Sequence, residues 1–549
     1  MLLCGIKTTH DAGIALIEDD KLIFSCELEK LDNNERYAHM TDLGIVFGQL
    51  AEYGYDPLDV DEFIIDGWHR RPRPLEWFGQ EVELRLAPYR RGLLADDLFH
   101  EYRFQVFDLE YSSYAHYAGH VTSAYCTSPF AALREDSYVL AWDAAMFPYL
   151  YVIEAESGQA RSLGPLFPLI GNTYHTLACK FEPFDKPLDF PRTLGVAGKV
   201  MAYIALGQVR EEVVDHLFRL ADRGYEAELR RWRGETDVFS QFDFGMDILR
   251  RMGREAEVDG VCSPDMLASI HAFLERSLVA GLRDKLSSSP YKVSNLCMSG
   301  GCALNIKWNS AVRDSGMFDH VWVPPFPNDS GSAIGTACCA MLGKSRHRAL
   351  TWDVFSGPAL RGTAMAPDGW AAEELSLDGV AHILHTTGMP VVFLSGRAEL
   401  GPRALGHRSI LACTSDAGMK DRLNAAKGRE HYRPVAPICL EHRAPEIFDP
   451  GSPDPYMLFD HDVRPGWISR IPAICHLDNT ARLQTVNYRQ DPAMFRLLEA
   501  YEALSGIPVL CNTSANFRGC GFFPDAESAI RWGEVPYVWA DGIIYRRKE

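Results

Sequence analysis

Apolar runs bounded by short polar turns open the chain. Leu2–Lys7, Ile14–Glu18 and Lys21–Leu28 each read as a strand, separated by Thr8-Thr9-His10-Asp11-Ala12-Gly13 and by Asp19-Asp20. The spacing predicts three consecutive antiparallel strands, with His10 and Asp11 on the first turn. A helix is expected over Thr41–Tyr53 and a strand over Glu62–Asp66. Farther on, Ser137–Trp142 (SYVLAW) is strand-like and ends in a carboxylate, Asp143, with Leu150–Glu154 as its hairpin partner. This second strand–turn–strand echoes the first, as expected of a fold made of two similar halves. Glu211–Arg233 and Pro264–Leu286 have helical spacing. In the second of these, Ser263 is the expected N-cap and Pro264 the first helical residue. Val293–Met298, Val321–Val323 and Val391–Leu394 are further strands, and Arg346–Pro367 reads as a linker.

A chain of 549 residues exceeds one ordinary core, so two or three domains are expected. A formal charge of −19 argues against a sequence-blind nucleic-acid binder or a binder of anionic membranes. The start, MLLCGIKTTHDAG, lacks the basic region and apolar run of a secretion signal. No apolar stretch reaches the roughly 18 residues that span a bilayer. The 14 cysteines are scattered without a C-x-x-C pair, as expected of reduced, mostly buried thiols in a cytoplasmic protein.

Candidate chemistry lies on several stretches. His116 and His120 are four apart, which on a helix puts both imidazoles on one face, able to share zinc or iron. With Asp143 at a strand end, they make a plausible half-site. Val293–Met298 runs into Gly300-Gly301 and then a helix beginning near Asn305, an arrangement suited to phosphate. Pro324–Ala337 (PPFPNDSGSAIGTA) carries Asp329, placed to close a metal site or meet a nucleotide through a metal. Beyond the linker, GRAELGPRALGHRSIL (396–411) brings Arg397, Arg403, His407 and Arg408 around a Gly-Pro turn. Lys427 and Arg429 follow, then GIPVLCNTSANFRG (506–519). Clustered cations in an acidic protein point to a pocket for a highly charged anion. Plainer readings stand beside these: a tight Gly-Gly turn, surface ion pairs, and a solvated excursion over Arg70–Arg91.

Together these stretches resemble the O-carbamoyltransferase family, whose members decorate antibiotics, nodulation factors and related natural products. The resemblance runs from HDAGIAL to NTSANFRG. It includes SGGCALN at 299–305 and LDNTARLQTV at 477–486, and it looks most like the cephem and macrolide members. It implies an α/β fold in which residues 1–345 are similar to the TsaD-type metalloproteins, a duplicated actin/Hsp70-like domain. Residues 346–375 would link this to a YrdC-like α/β domain over 376–549, whose last ~25 residues are candidates to pack back on the first domain. Carried over, His116, His120 and Asp329 match the metal-ligand pattern, and Asp143 matches the strand-end aspartate. Ala144 stands where the family usually has glycine. His10 would sit near the carbamoyl group. Lys427-x-Arg429 and Ser514-Ala515-Asn516 resemble the nucleotide pocket, joined by Arg403 and Arg408. Gly300, Gly301 and Asn305 would bind cofactor.

The implied activity is formation of carbamoyladenylate from carbamoyl phosphate and ATP, then carbamoyl transfer to a hydroxyl of a macrolide, cephem or glycoside. The cofactors would be ATP with Mg2+ and a divalent metal, Fe(II) first among them. The partners would be small molecules, with no nucleic acid and no membrane, around a monomer or homodimer. Three rivals compete. A tRNA threonylcarbamoyl-type enzyme is disfavoured by the acidic balance. An actin-fold sugar kinase leaves the C-terminal cations idle. A non-catalytic metal-binding scaffold leaves unexplained why the candidate ligands and cations occur in one chain.

Overall fold

The first meander forms as expected: β1 (Leu2–Lys7), β2 (Gly13–Glu18) and β3 (Lys21–Glu27), with β1 and β2 antiparallel and Lys7 opposite Gly13. Residues described by this computed structural model are 1–68, 74–90, 98–189, 192–232, 238–362 and 365–548. β4 (Glu62–Asp66) lies parallel to β1. A small hairpin of β5 (Leu75–Trp77) and β6 (Gln80–Val82) follows. Then β7 (Tyr102–Val106) pairs antiparallel with β8 (Leu109–Tyr114), and β8 runs parallel to β4. The first sheet is ordered β3-β2-β1-β4-β8-β7.

A second sheet repeats this plan. β9 (Ser137–Ala141), β10 (Tyr149–Ile153) and β11 (Ala160–Pro165) form an antiparallel meander. β12 (Asn295–Ser299) pairs parallel with β9, and β13 (His320–Trp322) parallel with β12. The order is β11-β10-β9-β12-β13. The same five-strand pattern therefore occurs twice, and both sheets are mixed. The long helix after residue 262 begins at Ser263, so Cys262 and not Ser263 holds the N-cap position. The serine is taken into the first turn ahead of Pro264.

Two helices connect the sheets to the chemistry. Helix His116–Cys126 is buried at every residue. Helix Ser332–Lys344 is buried from Ser332 to Leu342. They cross at glycine on glycine: a Cβ on Gly335 would stand 2.0 Å from the Gly119 carbonyl oxygen. Thr122 Oγ1 donates to the Gly335 carbonyl at 2.7 Å across the same crossing. Small residues here are a packing requirement.

The chain divides into two compact units, Met1–Ser25 with Tyr37–Asp353, and Cys26–Arg36 with Val354–Glu549. The second unit holds an eight-stranded mixed sheet. Its strands are β14 (Trp370–Glu374), β15 (Val391–Leu394), β16 (Arg408–Cys413), β17 (Ala436–Leu440), β21 (Gln484–Val486), β22 (Val509–Ser514), β23 (Tyr537–Ala540) and β24 (Ile543–Arg547). Its order is β14-β24-β23-β15-β16-β22-β17-β21. A separate small sheet holds β18 (Phe448–Asp449), β19 (His461–Val463) and β20 (Thr480–Ala481). Two sequence expectations meet a different arrangement here. The 346–375 stretch already contributes β14. The last ~25 residues supply β23 and β24 to this sheet, with β24 lying between β14 and β23. The segment Cys26–Arg36 is fastened into the second unit by Lys30. Its Nζ donates to Glu27 Oε1 (2.7 Å) and to the carbonyls of Glu399 (2.6 Å) and Gly401 (2.7 Å).

Candidate active site

In the first unit the carboxyl ends of parallel strands converge. Lys7 ends β1, Asp66 ends β4 and Asp143 follows β9, while His116 and His120 face inward from their helix. Asp329 lies on the short turn before helix Ser332–Lys344. Ligand atoms of His116, His120, Asp143 and Asp329 all lie within 4.8 Å of one another, and all four residues are buried.

The cluster is electron-rich. His116 Nε2 and His120 Nε2 face each other at 3.0 Å. Asp329 Oδ1 lies 3.3 Å from the first and 3.4 Å from the second. Asp143 Oδ2 is 3.9 and 3.8 Å away. His116 Nδ1 bonds Asp66 Oδ2 at 2.7 Å, which aims the Nε2 lone pair at the cluster. His120 Nδ1 has no hydrogen-bond partner among the described residues. Two imidazoles and two carboxylates converging on one buried point fit a divalent cation of the N/O-loving class.

Burial pulls the His120 imidazolium down, but Asp143 and Asp329 outweigh it and raise its pKa to about 10. Burial lifts both carboxyls, and the opposing charges reverse the effect. His120 and then His116 hold Asp143 below its ordinary value. Lys7, His116 and His10 hold Asp329 well below its own.

Three participants escaped the sequence reading. Lys7, 1 % exposed, places Nζ 2.9 Å from Asp329 Oδ2 and 3.0 Å from Asp66 Oδ2. Asp66 carried the same signal as Asp143, an aspartate closing an apolar strand. Tyr89 donates its phenol to Asp143 Oδ2. It lies within the stretch read as a solvated excursion, and that reading fails at its end: Tyr89 and Arg90 are buried, and the Arg90 guanidinium stacks 3.7 Å over Tyr149. Arg70, Arg71, Arg73 and Arg91 of the same stretch lie outside the described residues.

His10 stands beside the cluster. Its Nδ1 bonds Asp11 Oδ2 at 2.8 Å, and its Nε2 lies 3.5 Å from Asp329 Oδ2. Trp68 meets its ring edge-on at 5.2 Å. Burial lowers the His10 pKa, and Asp329 and Asp11 outweigh that and raise it. Gly301 donates its amide to Asp143 Oδ1 at 2.7 Å. Gly300 makes this approach feasible, since it has φ +86° and a Cβ there would lie 2.3 Å from the Trp142 carbonyl oxygen. With Tyr89 on the other oxygen, Asp143 is held from both sides. Asn305 does not face the cluster: its side chain caps helix Ile306–Asp314 through Lys307 and Trp308 and meets His271.

The second unit gathers the opposite charge. Lys427 Nζ donates to the carbonyls of Ser514 (2.7 Å) and Asn516 (2.9 Å) and to Asn516 Oδ1. Arg429 reaches Thr513 Oγ1 (3.0 Å) and Ser514 Oγ (3.1 Å), and Ser514 Oγ meets Asn516 Oδ1 at 2.7 Å. Burial, then the charges of Arg433, Arg36 and Arg482, push Arg429 down to about 9. Burial, then Arg429, Arg36 and Arg433, push Lys427 well down. Burial and Arg433 bring Arg482 to about 10, and its buried Nε has no hydrogen-bond partner among the described residues. Cations buried this deeply and crowded this closely suit an anion. Arg36 and Arg482 were not singled out from sequence, because they come from distant stretches.

Arg408 does not join this set. It is 1 % exposed and gives its guanidinium to the carbonyls of Ser395 (2.7 Å), His407 (2.9 Å), Gly396 (2.9 Å) and Pro358 (3.3 Å). Those four acceptors satisfy a buried charge that phosphate would otherwise need to meet. Arg403 lies half-buried on the preceding loop.

Comparison with known proteins gives the family. Residues 2–81 and 82–338 match Carbamoyltransferase N-terminus, and residues 382–538 match Carbamoyltransferase C-terminus. The chain is 47 % identical to nodulation protein U of Rhizobium tropici, across 100 % of this chain and 96 % of that one. It is likewise 47 % identical to nodulation protein U of Sinorhizobium fredii, across 100 % and 99 %. Identity to the 3'-hydroxymethylcephem-O-carbamoyltransferase of Streptomyces clavuligerus is 31 %, across 100 % and 99 %. The chain belongs to the carbamoyltransferase family and is an enzyme of carbamoyl transfer. Among the described residues, no helix is long and apolar enough to cross a membrane.

Proposed function

We propose that this enzyme makes carbamoyladenylate from carbamoyl phosphate and ATP in a YrdC-like second unit and transfers the carbamoyl group to an alcohol in an actin-like, TsaD-like first unit. One observation carries the reading. A single chain of this family buries an acidic, imidazole-bearing cluster in one unit and a mutually repelling cationic cluster in the other.

In the second unit, Arg429, Arg433, Arg482 and Arg36 would receive the triphosphate and stabilise the charge that develops as pyrophosphate leaves. Lys427 would hold the Ser514–Asn516 segment against that anion. Water and carbamoyl phosphate enter this half-reaction, and phosphate and pyrophosphate leave it. The adenylate then gives a small reacting group a large handle for positioning.

In the first unit, His116, His120, Asp143 and Asp329 would hold a divalent metal. It would supply Lewis acidity toward an oxygen of the substrate. Asp11 fixes the His10 tautomer by taking the proton on Nδ1, leaving Nε2 to accept the proton of the acceptor hydroxyl. Tyr89 and the Gly301 amide keep Asp143 from rotating. The higher identity to nodulation proteins than to the cephem enzyme turns the acceptor toward a nodulation-factor alcohol and away from a cephem.

The test separates the half-reactions. Pyrophosphate release is measured with ATP and carbamoyl phosphate and no acceptor, for wild type and His10→Asn. The expected result is release by both, with transfer lost only in the variant. If both half-reactions survive in His10→Asn, His10 is not the base. If wild type releases none, the adenylate scheme fails.

A further inference from the structure

The metal ligands do not account for Lys7. An ammonium at the floor of a cation site works against the cation it adjoins, so its presence needs a reason. Its Nζ takes Asp329 Oδ2 at 2.9 Å and Asp66 Oδ2 at 3.0 Å, and it lies 4.3 Å over the Trp68 ring. Asp66 Oδ2 also takes His116 Nδ1 at 2.7 Å. The ammonium therefore occupies one oxygen of Asp329 and leaves Oδ1, the atom that faces both Nε2 atoms, for the ion. The charge count is equally specific. Asp66, Asp143 and Asp329 contribute three negative charges, Lys7 one positive, and two ligating imidazoles none. His10 and Asp11 bond each other and carry the same charge in every variant below, so they stand outside the count. The sum over Lys7 and the three aspartates is −2, the charge that a divalent ion matches. Without Lys7 the site would match a trivalent ion, and in a buried site an unbalanced charge is costly.

We propose that Lys7 is the specificity-determining residue that sets this centre for a divalent cation and rejects trivalent ones, while fixing Asp329 to bind through a single oxygen. The inference rests on the metal-site reading above.

The experiment titrates the metal-stripped full-length protein with Mn2+ and with Gd3+ and compares the two dissociation constants. In Lys7→Met the preference moves toward Gd3+ by about tenfold or more. In Asp66→Asn, which removes a negative charge and keeps an acceptor for His116, it moves about as far the other way. The double variant Lys7→Met/Asp66→Asn restores the sum of −2 and with it the wild-type ratio. A merely structural lysine would weaken both ions together and leave the ratio fixed. An unchanged ratio in Lys7→Met overturns the inference. Should that variant not fold, an unchanged ratio in Asp66→Asn overturns it instead. Absence of saturable binding of either ion to wild type overturns the metal-site reading itself, and the inference falls with it.

Discussion

The two units bury charge in opposite ways. In the first, three carboxylates and two imidazoles meet a single lysine, and His120 is driven up to about 10. In the second, cations crowd one another, and Arg429 is driven down to about 9. Each cluster is stable only to the extent that something completes it, a cation in one case and an anion in the other. The difference shows that buried charge of one sign is more informative about a ligand than an ion pair that already balances itself. Arg408 makes the point from the other side: equally buried, and fully met by carbonyls.

The comparison breaks most sharply at the ligands. His116→Ala should cost more metal affinity than the roughly 100-fold that removal of a supporting residue can cost, as read by calorimetry on the stripped protein. It should leave acceptor-free pyrophosphate release unchanged. Arg429→Met should do the reverse, losing about 100-fold in pyrophosphate release with metal affinity intact. If either change damages both readouts, the clusters are not separate devices.

A third prediction uses pH. In the metal-free protein His120 holds a proton up to about pH 10, and a ligand must give that proton up. Metal affinity should therefore rise about tenfold per pH unit between pH 7 and pH 9, with one proton released per ion, as proton uptake by a weak buffer would show. The same raised pKa makes the metal-free fold more stable below the unfolded value near 6.5, a contribution lost as pH climbs through 10. A flat profile would mean that His120 binds the ion without displacing a proton. The smallest expected effect is that of Tyr89→Phe. It deprives Asp143 Oδ2 of its donor and should weaken metal about tenfold, with no change in the second unit.

Local order made part of this legible. The meanders were readable because alternation and turn residues are neighbours in sequence. The two histidines were readable because a helix turns four residues into one face. Asp143 was visible as a strand end. Asp329 was readable as a loop carboxylate able to close a metal site, and the resemblance paired it with residue 116, since nothing in its own loop ties the two together. Lys7 was hidden because a lysine ending an apolar strand looks like the strand's solvated tip until a second strand sets Asp66 beside it. Arg36 and Arg482 were hidden because their partners arrive from elsewhere in the chain. The partners of Asn305 and Arg408 were hidden for a related reason: a helix end and a set of carbonyls engage them, and neither engagement is visible in composition.

Lys30 has a consequence for the newborn chain. Its carbonyl partners lie 369 and 371 residues downstream. At about 5–20 residues per second, the ribosome needs roughly 20–70 s to deliver them. For that interval the segment that will complete the second unit is already outside, waiting through the synthesis of nearly the whole first unit. Assembly of the second unit is therefore timed by its earliest-made piece as well as its last, and a fragment starting at residue 354 would be born without its fastening.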